Sequence, residues 1–251
     1  MSNTNHTKPS TGILVLHGLT GNPETVLSIE EPLKSLGLKV SIPVLRGHGK
    51  DSPESLRGVT WQDWVSDAET ALLTLLNEVE KVIVIGHSMG GLVAIMLGAK
   101  YKDKIDSLIL VAAAILPISP LAPGKLLNFM VPLASRLFNK WPIGPVYSNK
   151  VYAVNHPNYL WAPMDTVLSF LEFTDVARKH LGKIEMPLLI LQSRVDTRIA
   201  AKSADVIYNE VSTPSMFKQI LWFEKTDHEM FRDCEKDAVV EKITKYIKVR
   251  C

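Results

Sequence analysis

The sequence predicts an α/β domain built on a mostly or wholly parallel sheet with helices on both faces, and three observations lead there. Short apolar runs at Ile13 to Leu16, Lys39 to Ile42, Val82 to Ile85, Ser107 to Val111, Leu188 to Leu191 and Gln219 to Phe223 alternate with helix-like segments. Strands that alternate with helices form parallel sheets, because each return to the same edge direction needs a crossover. The pentapeptide Gly86-His87-Ser88-Met89-Gly90 joins one of these runs to an apolar helix-like stretch, Gly91 to Lys100. Its glycines mark a sharp strand-to-helix turn. Finally, 251 residues suit a single such domain carrying an insertion better than two domains.

The elements follow in order. The first strand, Ile13 to Leu16, runs into the glycine-containing loop His17-Gly18-Leu19-Thr20-Gly21-Asn22-Pro23, and the second, Lys39 to Ile42, into Arg46-Gly47-His48-Gly49. From Thr60 to Val79 the residues Trp61, Trp64, Val65, Ala68, Leu72, Leu75, Leu76 and Val79 recur at helical spacing, with Thr60 and Asp63 placed as a capping box. The apolar stretch Leu108 to Leu116 is too short for a membrane span and reads as a core strand stopped by Pro117 and Pro120. The alternation then breaks. Residues 116–186 hold eight of the fifteen prolines and a run of bulky residues, Phe129, Phe138, Trp141, Tyr147, Tyr152, Tyr159, Trp161, Phe170 and Phe173. This segment is read as an insertion between core portions 1–115 and 187–251; it either packs down as plain cover or lines an apolar cleft. After the last strand, Asp233 to Lys248 forms a helix with Val239, Val240, Ile243, Tyr246 and Ile247 inward.

Composition narrows the function classes. The formal charge of +2 arises from 28 basic and 26 acidic residues spread along the chain, which gives no electrostatic case for nucleic acid or an anionic surface. Two cysteines, Cys234 and Cys251, form neither a disulfide framework nor a metal cluster. The polar segment Met1 to Ser10 lacks the apolar core of a signal peptide, and no run is long enough to span a bilayer, so a cytoplasmic location is expected. Composition leaves the oligomeric state open.

The chemistry concentrates at Ser88. A serine hydroxyl attacks only when it is held on a tight turn beside a base, with backbone N–H groups behind it. A plain βα turn with an incidental serine has the same pattern, so partners must be found. Asp196 follows the run Leu188 to Leu191 just past a strand end, where ligand-facing residues of an open sheet gather; its plainer reading is an N-cap for the helix from Ala200 to Tyr208. His228 follows the next strand, and Ser88, Asp196, His228 is the chain order of a strand-borne triad. Among the other histidines, His6 and His180 read as solvated, His156 as a surface or structural residue of the insertion, and His17 and His48 as holders of loop geometry. His87 adjoins the serine and is expected to point away from it. No histidine pair has metal-ligand spacing with a third ligand, so neither metal nor cofactor is expected. The first glycine loop and the elbow would supply oxyanion donors from the backbone N–H groups of Leu19 and Met89; the loop alone reads equally as a ligand-free turn. It has neither the dinucleotide nor the Walker pattern.

On these residues, with Ser203-Ala204-Asp205-Val206-Ile207-Tyr208-Asn209-Glu210, the chain from about Gly12 to Val249 resembles the α/β-hydrolase superfamily. Within it the chain resembles small bacterial carboxylesterases and monoacylglycerol lipases. The resemblance implies Ser88, Asp196 and His228 as the catalytic residues, Leu19 and Met89 as the oxyanion donors, and a small cap inserted after the sixth family strand, over 116–186. It implies a cofactor-independent serine esterase for short- to medium-chain esters, or a monoacylglycerol lipase. A thioesterase, a C–C hydrolase, an aminopeptidase on the same triad, and a ligand-binding protein without catalysis remain open. One departure is visible: the family often opens with a strand hairpin, whereas only about a dozen residues precede Ile13, so a sheet of six parallel strands is expected.

Overall fold

A computed structural model of the chain describes residues 10–119, 121–122 and 138–251; His6, Pro120 and Phe129 of the sequence reading lie outside them. The central sheet is made of β1 (Thr11–Leu16), β2 (Lys39–Ser41), β3 (Lys81–His87), β4 (Ile105–Val111), β7 (Leu188–Ser193) and β8 (Lys218–Phe223), and a two-stranded ladder of β5 (Lys140–Pro142) and β6 (Trp161–Pro163) lies apart from it. The helices are α1 (Glu30–Lys34), α2 (Trp61–Leu76), α3 (Met89–Lys100), α4 (Met164–Lys179), α5 (Lys202–Glu210) and α6 (Lys236–Lys248). Strand order is β2-β1-β3-β4-β7-β8, and every pair is parallel. The sheet therefore has the six parallel strands expected.

A strand buried on both faces sends alternate residues to opposite cores. Leu14, Leu16, Val82, Val84, Leu108, Leu110, Leu188 and Ile190 pack on one side with α2, α3, α4 and α5. Ile13, Val15, Ile83, Ile85, Ile109, Val111, Leu189 and Leu191 pack on the other with α1 and α6. Trp64, Ala68, Leu72 and Leu75 form the buried stripe of α2. At its start the Asp63 carboxylate accepts from the Thr60 N–H at 2.9 Å and from the Thr60 hydroxyl at 3.0 Å.

The chain runs from β1 to β2 on one side and then crosses to β3 on the other side of β1. The crevice at such a reversal opens at the carboxyl ends of the strands, so β1 and β3 deliver the His17 loop and the Ser88 elbow to the same place. One element differs from its sequence reading. Leu108 to Leu116 is buried almost throughout, but β4 ends at Val111. Ala112 takes a left-handed φ of 47°, and the Ala114 N–H donates to the Ser88 carbonyl at 3.2 Å. Burial of that run comes from packing behind the elbow rather than from a longer strand.

Candidate active site

Ser88 sits between β3 and α3 with φ 54° and ψ −116°, a conformation that a residue with a side chain adopts only when its surroundings enforce it. They do. A Cβ on Gly90 would run into the Leu16 carbonyl oxygen and lie 2.7 Å from that of His17, and one on Gly91 would lie 2.6 Å from the Ala113 Cβ. The glycines therefore let β1, β3 and α3 meet with the serine pushed outward between them.

The loops after β7 and β8 bring the two expected partners to Ser88. His228 Nε2 lies 2.9 Å from Ser88 Oγ, and His228 Nδ1 lies 2.9 Å from Asp196 Oδ2. The other Asp196 oxygen accepts from the backbone N–H groups of Arg198 and Ile199, both at 2.8 Å. Asp196 is thus the cap of its own turn and not of α5, which begins at Lys202 with Ala201 as its N-cap residue. Burial opposes charge on His228, yet the neighbouring Asp196 carboxylate outweighs it and the imidazole pKa is raised. Burial likewise opposes charge on Asp196, and His228 with the two backbone donors leaves its pKa lowered. The pair is arranged to accept a proton on His228 Nε2 while the carboxylate stays ionised.

The rival histidines have other partners. His17 Nδ1 donates to the Gly18 carbonyl at 2.9 Å, and its Nε2 accepts from the Leu45 N–H at 3.2 Å. His48 Nδ1 contacts the carbonyls of Leu45 and Arg46, both at 3.1 Å. Both hold loops, as expected. Burial lowers the His17 pKa to about 4 and that of His48 to about 3. His87 does not simply turn away: its Nε2 donates to the His228 carbonyl at 2.9 Å, so it props His228 from behind. Burial takes its pKa to about 3.

A cavity of about 370 Å³ opens in front of Ser88, walled by Leu19, Ile143, Val146, Phe170, Leu171 and Ile199 among others. The His17–Asn22 loop passes directly beside the serine: a Cβ on Gly18 would be 3.1 Å from the Ser88 Cβ. Leu19 borders the cavity, and Met89 is the buried first residue of α3, whose N–H belongs to the helix terminus that lacks intrahelical partners. Tyr159, from the segment opposite, fastens this rim. Its N–H donates to the Thr20 carbonyl, and its hydroxyl bridges the Lys50 N–H and carbonyl, each at 2.8 Å. Arg46 pairs with Asp63 and Asp67 of α2, which gives the second glycine loop its own anchor.

The family described as serine aminopeptidase, S33 (Hydrolase_4), matches residues 7–235. The chain belongs to this family. A carboxylesterase of Bacillus subtilis (strain 168) is 27% identical over 237 residues, covering 94% of this chain and 92% of the relative. A thermostable monoacylglycerol lipase of Bacillus sp. (strain H-257) is 25% identical over 234 residues, covering 92% and 88%. A solved structure of the metagenome-derived lipolytic enzymes LipS and LipT superposes with a TM-score of 0.86 at 25% identity, covering 96% of this chain and 95% of the other. The protein is therefore a hydrolase of the α/β-hydrolase fold that resembles carboxylesterases and monoacylglycerol lipases.

In this α/β-hydrolase several polar residues around Ser88, Asp196 and His228 carry no sequence signature. Asp227 accepts from the Thr197 N–H at 2.8 Å, linking the loop of His228 to the loop of Asp196. Asp233 is fully buried and accepts from Asp227 N–H at 2.6 Å, Cys234 N–H at 2.8 Å, and Ser148 N–H and hydroxyl at 2.8 and 2.6 Å. One carboxylate thereby ties the segment across the cavity to the histidine loop. Among the described residues no group of three or more potential ligands is placed to hold a metal ion, and no helix is long and apolar enough to cross a membrane.

Proposed function

We propose that this hydrolase is a serine carboxylic-ester hydrolase that works through an acyl-enzyme on short- to medium-chain esters, monoacylglycerols included. The observation that carries the reading is the unbroken line Ser88 Oγ, His228, Asp196, joined by two 2.9 Å hydrogen bonds and opening on an apolar cavity. As Ser88 Oγ attacks the ester carbonyl, His228 Nε2 takes its proton and Asp196 stabilises the imidazolium. The backbone N–H groups of Leu19 and Met89 receive the developing oxyanion, fixed dipoles that need no reorganisation. His228 then protonates the leaving alcohol, and water repeats the sequence to release the acid. Neither metal nor cofactor enters this cycle. Residues 116–186 act as the cap that shapes the acyl site, supported by Ile143, Val146, Phe170 and Leu171 in the cavity wall. Names of relatives that match over nearly their full length support the ester class.

The test is a panel of p-nitrophenyl esters from acetyl to palmitoyl, with thioester and aminoacyl-arylamide members, combined with fluorophosphonate labelling mapped by mass spectrometry. Ester turnover with a single adduct on Ser88 is expected. Arylamide turnover without ester turnover would replace the reading by an aminopeptidase, and an adduct elsewhere would remove the mechanism.

A further inference from the structure

The charge of the chain is even in total but not along its length. From residue 107 to residue 164 the sequence contains no aspartate or glutamate, while it contains Lys125, Arg136, Lys140 and Lys150. This stretch includes the Trp141 to Asn158 part of the wall that faces Ser88. Within the described part of this stretch Lys140 and Lys150 are the charged residues, and a surface of one sign concentrates ligands of the other.

Inside the cavity the same sign recurs at one residue. Arg198 is the only lysine or arginine among the described lining residues, and it is partly buried beside an otherwise apolar surface of Pro117, Ile118 and Ile199. Its guanidinium meets one acceptor among the described residues, the Gly144 carbonyl at 2.5 Å, and no carboxylate lies within ion-pair distance. Nor does the rest of the sequence offer one, since residues 1–9, 120 and 123–137 contain no acidic side chain. Glu229 is the only acidic residue of the described lining. Burial raises its pKa, and the positive groups that act on it most are His228 and Arg232, ahead of Arg198. An arginine left with unused donors in an apolar wall is arranged for a planar anion, which it binds through paired N–H groups.

We propose that Arg198 anchors an anion subsite within the cavity, so that the preferred ester carries a second, ionised group, a carboxylate or a phosphate, within reach of the guanidinium. This rests on the esterase reading and adds to it the charge of the substrate. The acid-free wall from Trp141 to Asn158 draws the ester in, and Arg198 holds it while Ser88 attacks.

Matched pairs of esters test this: monomethyl suberate against methyl octanoate for an anion on the acyl side, and octanoyl glycerol phosphate against octanoylglycerol for one on the alcohol side. In wild type the anionic member of at least one pair should exceed its neutral partner in kcat/KM by about tenfold. Arg198→Gln should erase most of that ratio through KM, Arg198→Lys should keep part of it, and salt near 0.5 M should compress it. The pair that responds identifies which side bears the anion. Neutral members preferred in both pairs, or a ratio unmoved by Arg198→Gln, would overturn the proposal. If Arg198→Gln does not fold, the wild-type ratio and its salt dependence decide. If no ester is turned over, the esterase reading fails, and calorimetry still judges the subsite: monomethyl suberate should bind Ser88→Ala about tenfold more tightly than Ser88→Ala/Arg198→Gln, and equal affinities would refute it.

Discussion

Two walls face each other across the cavity, and they are held by different means. The wall with Ser88, Asp196 and His228 consists of strand-end loops: Ser193 Oγ donates to the Thr226 carbonyl at 2.5 Å, Thr197 N–H to Asp227 at 2.8 Å, and the Ser88 N–H to the Val111 carbonyl at 2.9 Å. The wall from Trp141 to Leu171 hangs on a ladder of three residues per strand and a small apolar cluster around Leu56, Ala162, Met164, Val167 and Leu171. Bond-making chemistry needs positions held to a fraction of an ångström, and the proposed mechanism assigns it to the first wall, where backbone from several strands converges. Under the same proposal substrate shape falls to the second wall, which is fixed to the core by the bonds of Asp165 to Gly58, Thr166 to Leu56 and Ser169 to Trp61. The two walls are tied to each other by hydrogen bonds, among them Tyr159 on Thr20, Ser148 on Asp233 and Arg198 on Gly144.

The largest effect is expected on the first wall. Ser88→Ala or His228→Ala should lower kcat by about four orders of magnitude or more, and the double variant should lose little beyond either single one, because the residues act as a unit. Steady-state kinetics with thermal melts checks this. Substantial kcat in His228→Ala, with its loss in His17→Ala or His48→Ala, would transfer the role of base to another histidine. Within the same unit, kcat/KM should rise with pH through a midpoint above 6.5, since Asp196 raises the His228 pKa and only the neutral imidazole accepts the serine proton. Asp196→Asn should move any residual midpoint downward.

Gly90→Ala comes next. The added Cβ would meet the backbone of Leu16 and His17, which no side-chain rotation relieves. A loss of roughly 4 kcal/mol or more in urea unfolding is expected, or failure to fold. No loss, or the gain of about 1 kcal/mol that alanine brings over glycine at an unobstructed helix position, would mean that the strand and helix at the elbow are not in close contact.

Much of this wall was legible in the sequence because each chemical role there demands a residue type at a fixed distance from a strand end. Gly86, Ser88 and Gly90 betray the elbow, and Asp196 and His228 follow apolar runs whose burial on both faces makes them easy to find. The network behind them was not legible. Asp227 and Asp233 act through backbone N–H groups brought together by folding, and nothing in the order of letters separates them from surface aspartates. Leu108 to Leu116 misled for a related reason: apolar runs report burial, and Ala112 to Ile115 are buried without being strand. On the facing wall aromatic richness was visible, but that it brings apolar neighbours and the Gly144 carbonyl to Arg198 of the Asp196 loop was not.

A smaller effect concerns acid stability. His17, His48 and His87 are buried and neutral in the fold, with pKa values of about 4, 3 and 3. A folded pKa below the unfolded value gives stability that is present above pH 6.5 and lost as the pH falls toward the folded value. His228, shifted the other way, keeps its contribution below pH 6.5 and loses it as pH rises through its raised pKa. Urea unfolding should therefore show stability falling from pH 7 to pH 5, by on the order of 1 kcal/mol per pH unit for each buried neutral histidine. A flat profile would mean that these three rings can bind protons in the folded state, and that the first wall is less tightly sealed than its hydrogen bonds imply.

The smallest effect belongs to the second wall, where single side chains are expected to tune rather than abolish activity. Phe170 and Leu171 border the cavity from α4, with Leu171 buried and Phe170 partly so. Each methylene of an acyl chain buried against such a surface contributes about 0.8 kcal/mol, a few-fold in kcat/KM, until the space is filled. Wild-type kcat/KM should thus climb along the p-nitrophenyl series and then level off. Leu171→Ala enlarges the space by a few methyl groups' worth of volume, so the plateau should move to chains longer by one or two carbons, with the slope below it preserved. Ser88→Ala lowers every member alike, whereas this change should redistribute activity among them. A uniform fall across all chain lengths in Leu171→Ala would show that α4 supports the catalytic wall instead of shaping the substrate, and the division of labour between the two walls would have to be withdrawn.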